Sequence, residues 1–367
     1  MLIDPRIERM AKVLVGYSLG VQPGWKVSIF GGTAAIPLVQ AAYREVLKVG
    51  AHPNVLLDPP GIRDMLLTLG SDEQLLHGDP YRLAMVRESD AVLRIMSDEN
   101  TRASNNVPPE RQALLQKGLS PMGAAYMQRI TEGRPHSLTL FPTHAYAQDA
   151  EMSLSEFEDF VFHACLLDTD EDPVERWLEL SREQQRIVDW LADKKDVHVE
   201  APGTDLKLSI EGRSFVNSDG KRNFPSGEVF TSPVESTVGG RISFTYPASY
   251  QGRSVQGVKL TFKNGIVTDF SAESGQEFLA SMLNMDAGAR KMGEFAIGTN
   301  TGVTRITRNT LFDEKIAGTI HCALGEAYPN AGGTNHSAIH WDMVTDMSQG
   351  RIVVDGETLY ENGKFVI

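Results

Sequence analysis

The feature that most constrains this fold is a change of texture at Lys194-Lys195-Asp196. Before it, long helical stripes separate short apolar strands. Residues 26–30 form an apolar strand ending in Gly31-Gly32. Residues 37–49 carry Leu38, Ala41, Ala42, Val46 and Leu47 at helical spacing and close on Gly50, the residue type favoured after a helix C-terminus. Residues 53–57 form the next strand. Strand, helix, strand at this spacing requires parallel strands joined by a crossover. Further strands are expected at 90–96 and 137–141, with helices at 7–19, 109–130, 152–167 and 173–191. After the change, short alternating strands and turns take over: 197–200, 206–210, 242–246, 258–262 and 266–270. Asn264-Gly265 sits between the last two as a hairpin turn. A helix is expected at 276–283. At 367 residues the chain exceeds one small core. The expectation is an α/β protein of two domains. Residues 1–195 would be an α/β domain with parallel strands, and residues 196–367 a β-rich α+β domain.

The second domain carries the candidate chemistry. Residues 319–329 have a helix-like pattern in which His321 and Tyr328, seven apart, point the same way until Pro329 ends the segment. Ile339, Trp341 and Met343 favour a strand, whose alternation puts His340 and Asp342 on one face. Two imidazoles, a carboxylate and a phenol within 22 residues form a ligand set for a borderline metal. Taken singly, each is as well explained as a satisfied core His or a surface Asp. Glu228 lies in a Pro/Gly-punctuated segment between a turn and apolar residues. Glu294 alternates with Phe295 and shares its strand face only with Ala296 and Gly298, which suggests a tight site. His336 precedes His340 by four residues, but no Glu follows it. The zincin pattern is therefore absent, and His336 reads as a loop residue. Gly31-Gly32-Thr33 lacks both nucleotide-loop patterns.

A net charge of −13 disfavours a broad nucleic-acid or anionic-membrane surface. No stretch reaches the roughly 18 apolar residues of a membrane helix, and the N-terminus lacks a signal-peptide core. Cys165 and Cys322 have no pairing pattern and read as reduced thiols. The default is a soluble cytoplasmic protein.

Five separated segments, in order, carry a resemblance: residues 223–231 (NFPSGEVFT), 293–298 (GEFAIG), 309–314 (NTLFDE), 321–328 (HCALGEAY) and 339–342 (IHWD). Together they resemble the M29 family of metallo-aminopeptidases, the aminopeptidase T type. Residues 142–153 match more loosely. The resemblance implies a two-metal site on Glu228, Glu294, His321, Tyr328, His340 and Asp342, holding two divalent ions of zinc, cobalt or manganese. It implies peptide substrates and a homodimer around an internal cavity. Within this resemblance Glu228 or Glu294 is the proton shuttle, and Tyr328 binds metal or the oxyanion. The loop between Tyr328 and His340 is shorter than in the best-known members, Ser226-Gly227-Glu228 stands where members often carry paired acids, and the chain itself is shorter. These departures bear on substrate preference. The scaffold also resembles dihydroxypyridine-type ring-cleaving dioxygenases, whose single Fe(II) would need only His321, His340 and Asp342. Both Glu228 and Glu294 would be superfluous to such a site, which favours the two-metal reading. A structural metal would be closed and four-coordinate, and six candidate ligands argue against it.

Overall fold

The computed structural model describes residues 4–169, 171–250 and 252–367. It divides into two compact units: residues 1–177 with 220–225, and residues 178–219 with 226–367.

The first unit is built on a parallel sheet in the order His52–Asp58, Lys26–Gly32, Ala91–Met96, His136–Leu140, Asn223–Phe224. Parallel strands covered by helices are apolar on both sides, and Val27, Ile29, Val92, Leu93 and Leu140 are accordingly buried. The first crossover runs through the helix Ile36–Val49. Its buried residues Leu38, Ala41, Ala42 and Val46 follow the stripe read from sequence, and Gly50 closes it at φ 83°. Leu47 departs from that stripe and is 54% exposed. Arg129, on the helix Pro109–Thr131, is buried and donates to the carbonyls of Val86, Ser89, Asp90 and Pro135. One guanidinium thereby satisfies four carbonyls, two at the end of the helix Pro80–Glu88 and two just before strands, that burial would otherwise orphan.

The second unit has two antiparallel sheets. The larger runs Ile266–Ser271, Lys259–Lys263, Gly239–Ser243, Thr204–Ser209, Asp196–Ala201, Arg351–Val354, Glu357–Glu361, Lys364–Phe365. Its first hairpin turns on Asn264 and Gly265, both at positive φ as a two-residue turn of this kind requires. The smaller runs His340–Asp346, Thr319–Gly325, Met292–Gly298, Glu228–Thr231, Val216–Ser218. A single hydrophobic cluster joins Val197, Leu206, Ile242 and Phe262 of the larger sheet to Val229, Phe295, Ile297, Ile320, Cys322, Leu324, Trp341 and Met343 of the smaller. Side chains alternate along a strand, so burying those residues commits the intervening ones to the opposite face.

Residues 319–325 correct the helical expectation: they are a strand, followed by Tyr328 and a short 3-10 turn, Pro329–Ala331. All seven strand residues are buried. With both faces covered, the two-residue alternation that would have marked a strand is lost. Seven-residue helical spacing therefore does not relate His321 to Tyr328.

Candidate metal centre

The smaller sheet turns one face to the core, and its other face assembles the candidates row by row. Gly298 pairs with Glu228, Ala296 with His321, and Glu294 with Ala323. Ala323 pairs in turn with Asp342, and Gly325 with His340. The candidate side chains are interleaved with Ala and Gly, which leave room for them to converge. The alternation read for Glu294 and for the His340–Asp342 pair holds.

His321 Nε2 lies 3.5 Å from Glu228 Oε2 and 3.6 Å from Glu294 Oε1. His340 Nε2 lies 3.1 Å from Glu294 Oε2 and 3.4 Å from Asp342 Oδ1. Glu294 thus presents one oxygen to each imidazole. Three groups of donor atoms fall within 4.8 Å of one another: Glu228–Glu294–His321, Glu294–His340–Asp342 and Glu314–His321–Asp342. Glu228, Glu294 and His321 are buried.

Second-layer contacts hold this geometry. His340 Nδ1 is 2.8 Å from the Glu326 carbonyl. A carbonyl only accepts, so Nδ1 carries the proton and the neutral ring keeps its lone pair on Nε2, facing Glu294 and Asp342. The loop before His340 is pinned by Glu235, which accepts the Thr334 and Asn335 N–H groups, and by Asp286, which accepts from Ser337 and Ala338. Ser232 Oγ donates to the Gly293 carbonyl and accepts the Tyr328 N–H. Tyr328 packs its ring 5.1 Å from His340 and 5.0 Å from Phe230 while staying 36% exposed.

Two members escaped sequence reading. Glu314 lies in the 309–314 segment, where its sequence neighbours mark no role for it. Lys315 is fully buried, with Nζ 2.6 Å from Glu228 Oε1 and in close contact with Glu314. Lysine is normally a solvent residue, so local sequence gave no signal for it.

The cluster is rich in carboxylates. Glu228, Glu294, Glu314 and Asp342 fall in overlapping donor groups, and the Lys315 ammonium contacts two of them, Glu228 and Glu314; unpaired buried charge is costly. His321 is pushed up to about 9, because the Glu294 carboxylate 3.6 Å away and the charge of Glu228 outweigh the burial that opposes protonation. His340 is also raised, burial notwithstanding, chiefly by Asp342. Burial pushes Glu314 up to about 8 against the pull of Lys315. Withdrawal of its hydroxyl from water, and then the charge of Glu294 and Asp342, keep the Tyr328 phenol protonated. Glu228 Oε2, both nitrogens of His321 and Asp342 Oδ1 are buried without hydrogen-bond partners. Native interiors rarely tolerate such orphans. Oxygen and nitrogen donors left unpaired in this cluster fit a divalent cation.

A fold of this kind carrying such a cluster defines a metal-dependent enzyme. A family model described as thermophilic metalloprotease (M29) matches residues 3–365, and the chain belongs to that family of hydrolases. It is similar to Aminopeptidase 2 of Geobacillus stearothermophilus, at 28% identity over 407 aligned positions covering 99% of this chain and 98% of the relative. Among solved structures, wild-type AmpT from Thermus thermophilus superposes with a TM-score of 0.87 at 23% identity over 100% of both chains. The 2,5-dihydroxypyridine dioxygenase of Pseudomonas putida superposes with a TM-score of 0.62 at 14% identity, over 98% of this chain and 96% of that one. Both likenesses are of fold. Among the described residues no helix is long and apolar enough to cross a membrane.

Proposed function

We propose that this chain is an aminopeptidase, working as a homodimer, that removes N-terminal residues from peptides with two divalent cations. The observation that carries the reading is Glu294, whose two oxygens face two different imidazoles and which belongs to two adjacent donor groups. One cation would be held by Glu228, Glu294 and His321, the other by Glu294, His340 and Asp342. Bound there, the cations polarise the scissile carbonyl and lower the pKa of water. The chain supplies the rest. Glu228 turns Oε2 toward His321 while Lys315 holds Oε1, and it would serve as proton shuttle as well as ligand. Tyr328, protonated and partly exposed beside His340, is the donor for the tetrahedral oxyanion.

The family membership and the Geobacillus relative named as an aminopeptidase support the peptide substrate. A one-iron oxygenase site needs His321 and His340 on the same ion. Among the described residues these fall in different donor groups, which favours the two-cation reading.

The test is chelation followed by reconstitution with cobalt, zinc or manganese. Hydrolysis of amino-acid amides should vanish and return, and N-acetylated peptides should resist. Metal-loaded protein that cleaves no peptide with a free N-terminus would refute the reading. Light scattering should report twice the 40.4 kDa chain mass, and a monomer would remove the dimer.

A further inference from the structure

The donor groups are not electrically equivalent. Lys315 is 0% exposed, and its ammonium touches two carboxylates, Glu228 at 2.6 Å and Glu314. Each of those belongs to a donor group containing His321. The group made of Glu294, His340 and Asp342 includes neither carboxylate. One positive charge is therefore built into the His321 side of the cluster, and the His340 side lacks its equivalent. The placement is fixed by backbone. The Lys315 carbonyl accepts the Asn300 N–H, its own N–H donates to the Phe312 carbonyl, and Asn300 Nδ2 donates to the Ser226 carbonyl, two residues before Glu228. Gly298 contributes as well: a Cβ there would lie 3.0 Å from the Lys315 carbonyl carbon and 2.1 Å from the Ile316 oxygen, so only glycine lets this segment close over the strand.

We propose that Lys315 is an internal cation that makes the two metal positions unequal. The Glu294–His340–Asp342 position binds its ion tightly and first. The Glu228–Glu294–His321 position binds second and weakly, because the ammonium neutralises part of its carboxylate charge and repels the incoming dication. This inference rests on the two-cation reading above. It makes Lys315 a positioning residue that sets metal affinity and the freedom of Glu228, with no contact to substrate. One ion would be resident, and the other would exchange with the surrounding metal pool.

The test is calorimetric titration of metal-stripped protein with Zn²⁺ and Co²⁺, with bound metal counted by mass spectrometry. Wild-type protein should show two equivalents with well-separated dissociation constants. K315Q removes the charge but keeps a donor. Its second constant should tighten about tenfold or more, a modest fraction of the repulsion between a unit charge and a dication at an effective dielectric near 20. K315R should keep the separation. Should K315Q fail to fold, E228Q and D342N decide the matter: the tight equivalent should survive E228Q and be lost in D342N. Two equal sites in the wild type, an unchanged second constant in folded K315Q, or a tight equivalent that follows Glu228 would overturn the role of Lys315 and leave the two-cation reading standing. Saturation at one ion in both wild type and K315Q would overturn both.

Discussion

Replacing Glu294 by Gln tests the centre most directly. The side chain keeps its shape, and Ala296, Gly298 and Ala323 around it are too small to hinder it. What changes is one charge and one acceptor at a buried residue that faces His321 at 3.6 Å and His340 at 3.1 Å. The amide would turn an N–H group toward one of those imidazoles, displacing it from its donor position. Removing an outer-layer partner of a metal ligand typically costs about 10–100-fold in affinity. A ligand shared by two positions should cost at least that at each. Metal content at micromolar free zinc should fall below two per chain, and kcat by about 10²–10⁴, the range for a lost catalytic carboxylate. Metal counting after gel filtration and single-turnover hydrolysis of an amino-acid amide measure the two. A variant that keeps two ions but loses rate would make Glu294 the proton shuttle and relieve Glu228 of that role. Two ions together with the full rate would refute the shared-ligand argument.

Other perturbations follow from the same geometry. H340A and D342A should each lose the tight equivalent and most activity, and normal metal content in both would show the site to be misplaced. In the metal-free protein His321 is raised from 6.5 to about 9, so its contribution to stability is full below pH 6.5 and lost as pH rises through 9. Metal requires the unprotonated ring, so affinity should move the opposite way and strengthen up to about pH 9; thermal unfolding of chelated protein and zinc titration across pH 6 to 10 would check both signs. S232A removes the donor to the Gly293 carbonyl and the acceptor of the Tyr328 N–H, and should lower kcat more than metal content; the two are read from turnover at saturating substrate and from metal counting. G298A should destabilise the fold and weaken metal binding, since its methyl group would sit 2.1 Å from the Ile316 oxygen; a thermal midpoint equal to wild type would refute the packing argument.

Legibility in this chain depends on whether a residue's role is written in its neighbours. The helix Ile36–Val49 was readable because its buried stripe and its Gly50 cap are local, and the helix Gln276–Leu283 for a similar reason. His340 and Asp342 were readable as a pair because Trp341 and Met343 go to the core, and alternation does the rest. Thr319–Gly325 was not, because one of its faces packs on the core through Ile320, Cys322 and Leu324 while the other is covered at the cluster. Burial on both sides removes the polar residues that give a strand its period, leaving a run that imitates a buried helix. Lys315 is the harder case. Its burial depends on an ion pair with Glu228, 87 positions away in sequence, and on a backbone bond to Asn300. Nothing between residues 309 and 321 encodes that partner. A lysine enters a core when a carboxylate already waits there, and the Glu228 carboxylate is brought there by strand pairing with Gly298. Register thus precedes charge in this site: the strand pairs fix where the acids gather, and their gathering then decides which distant cation can be buried among them.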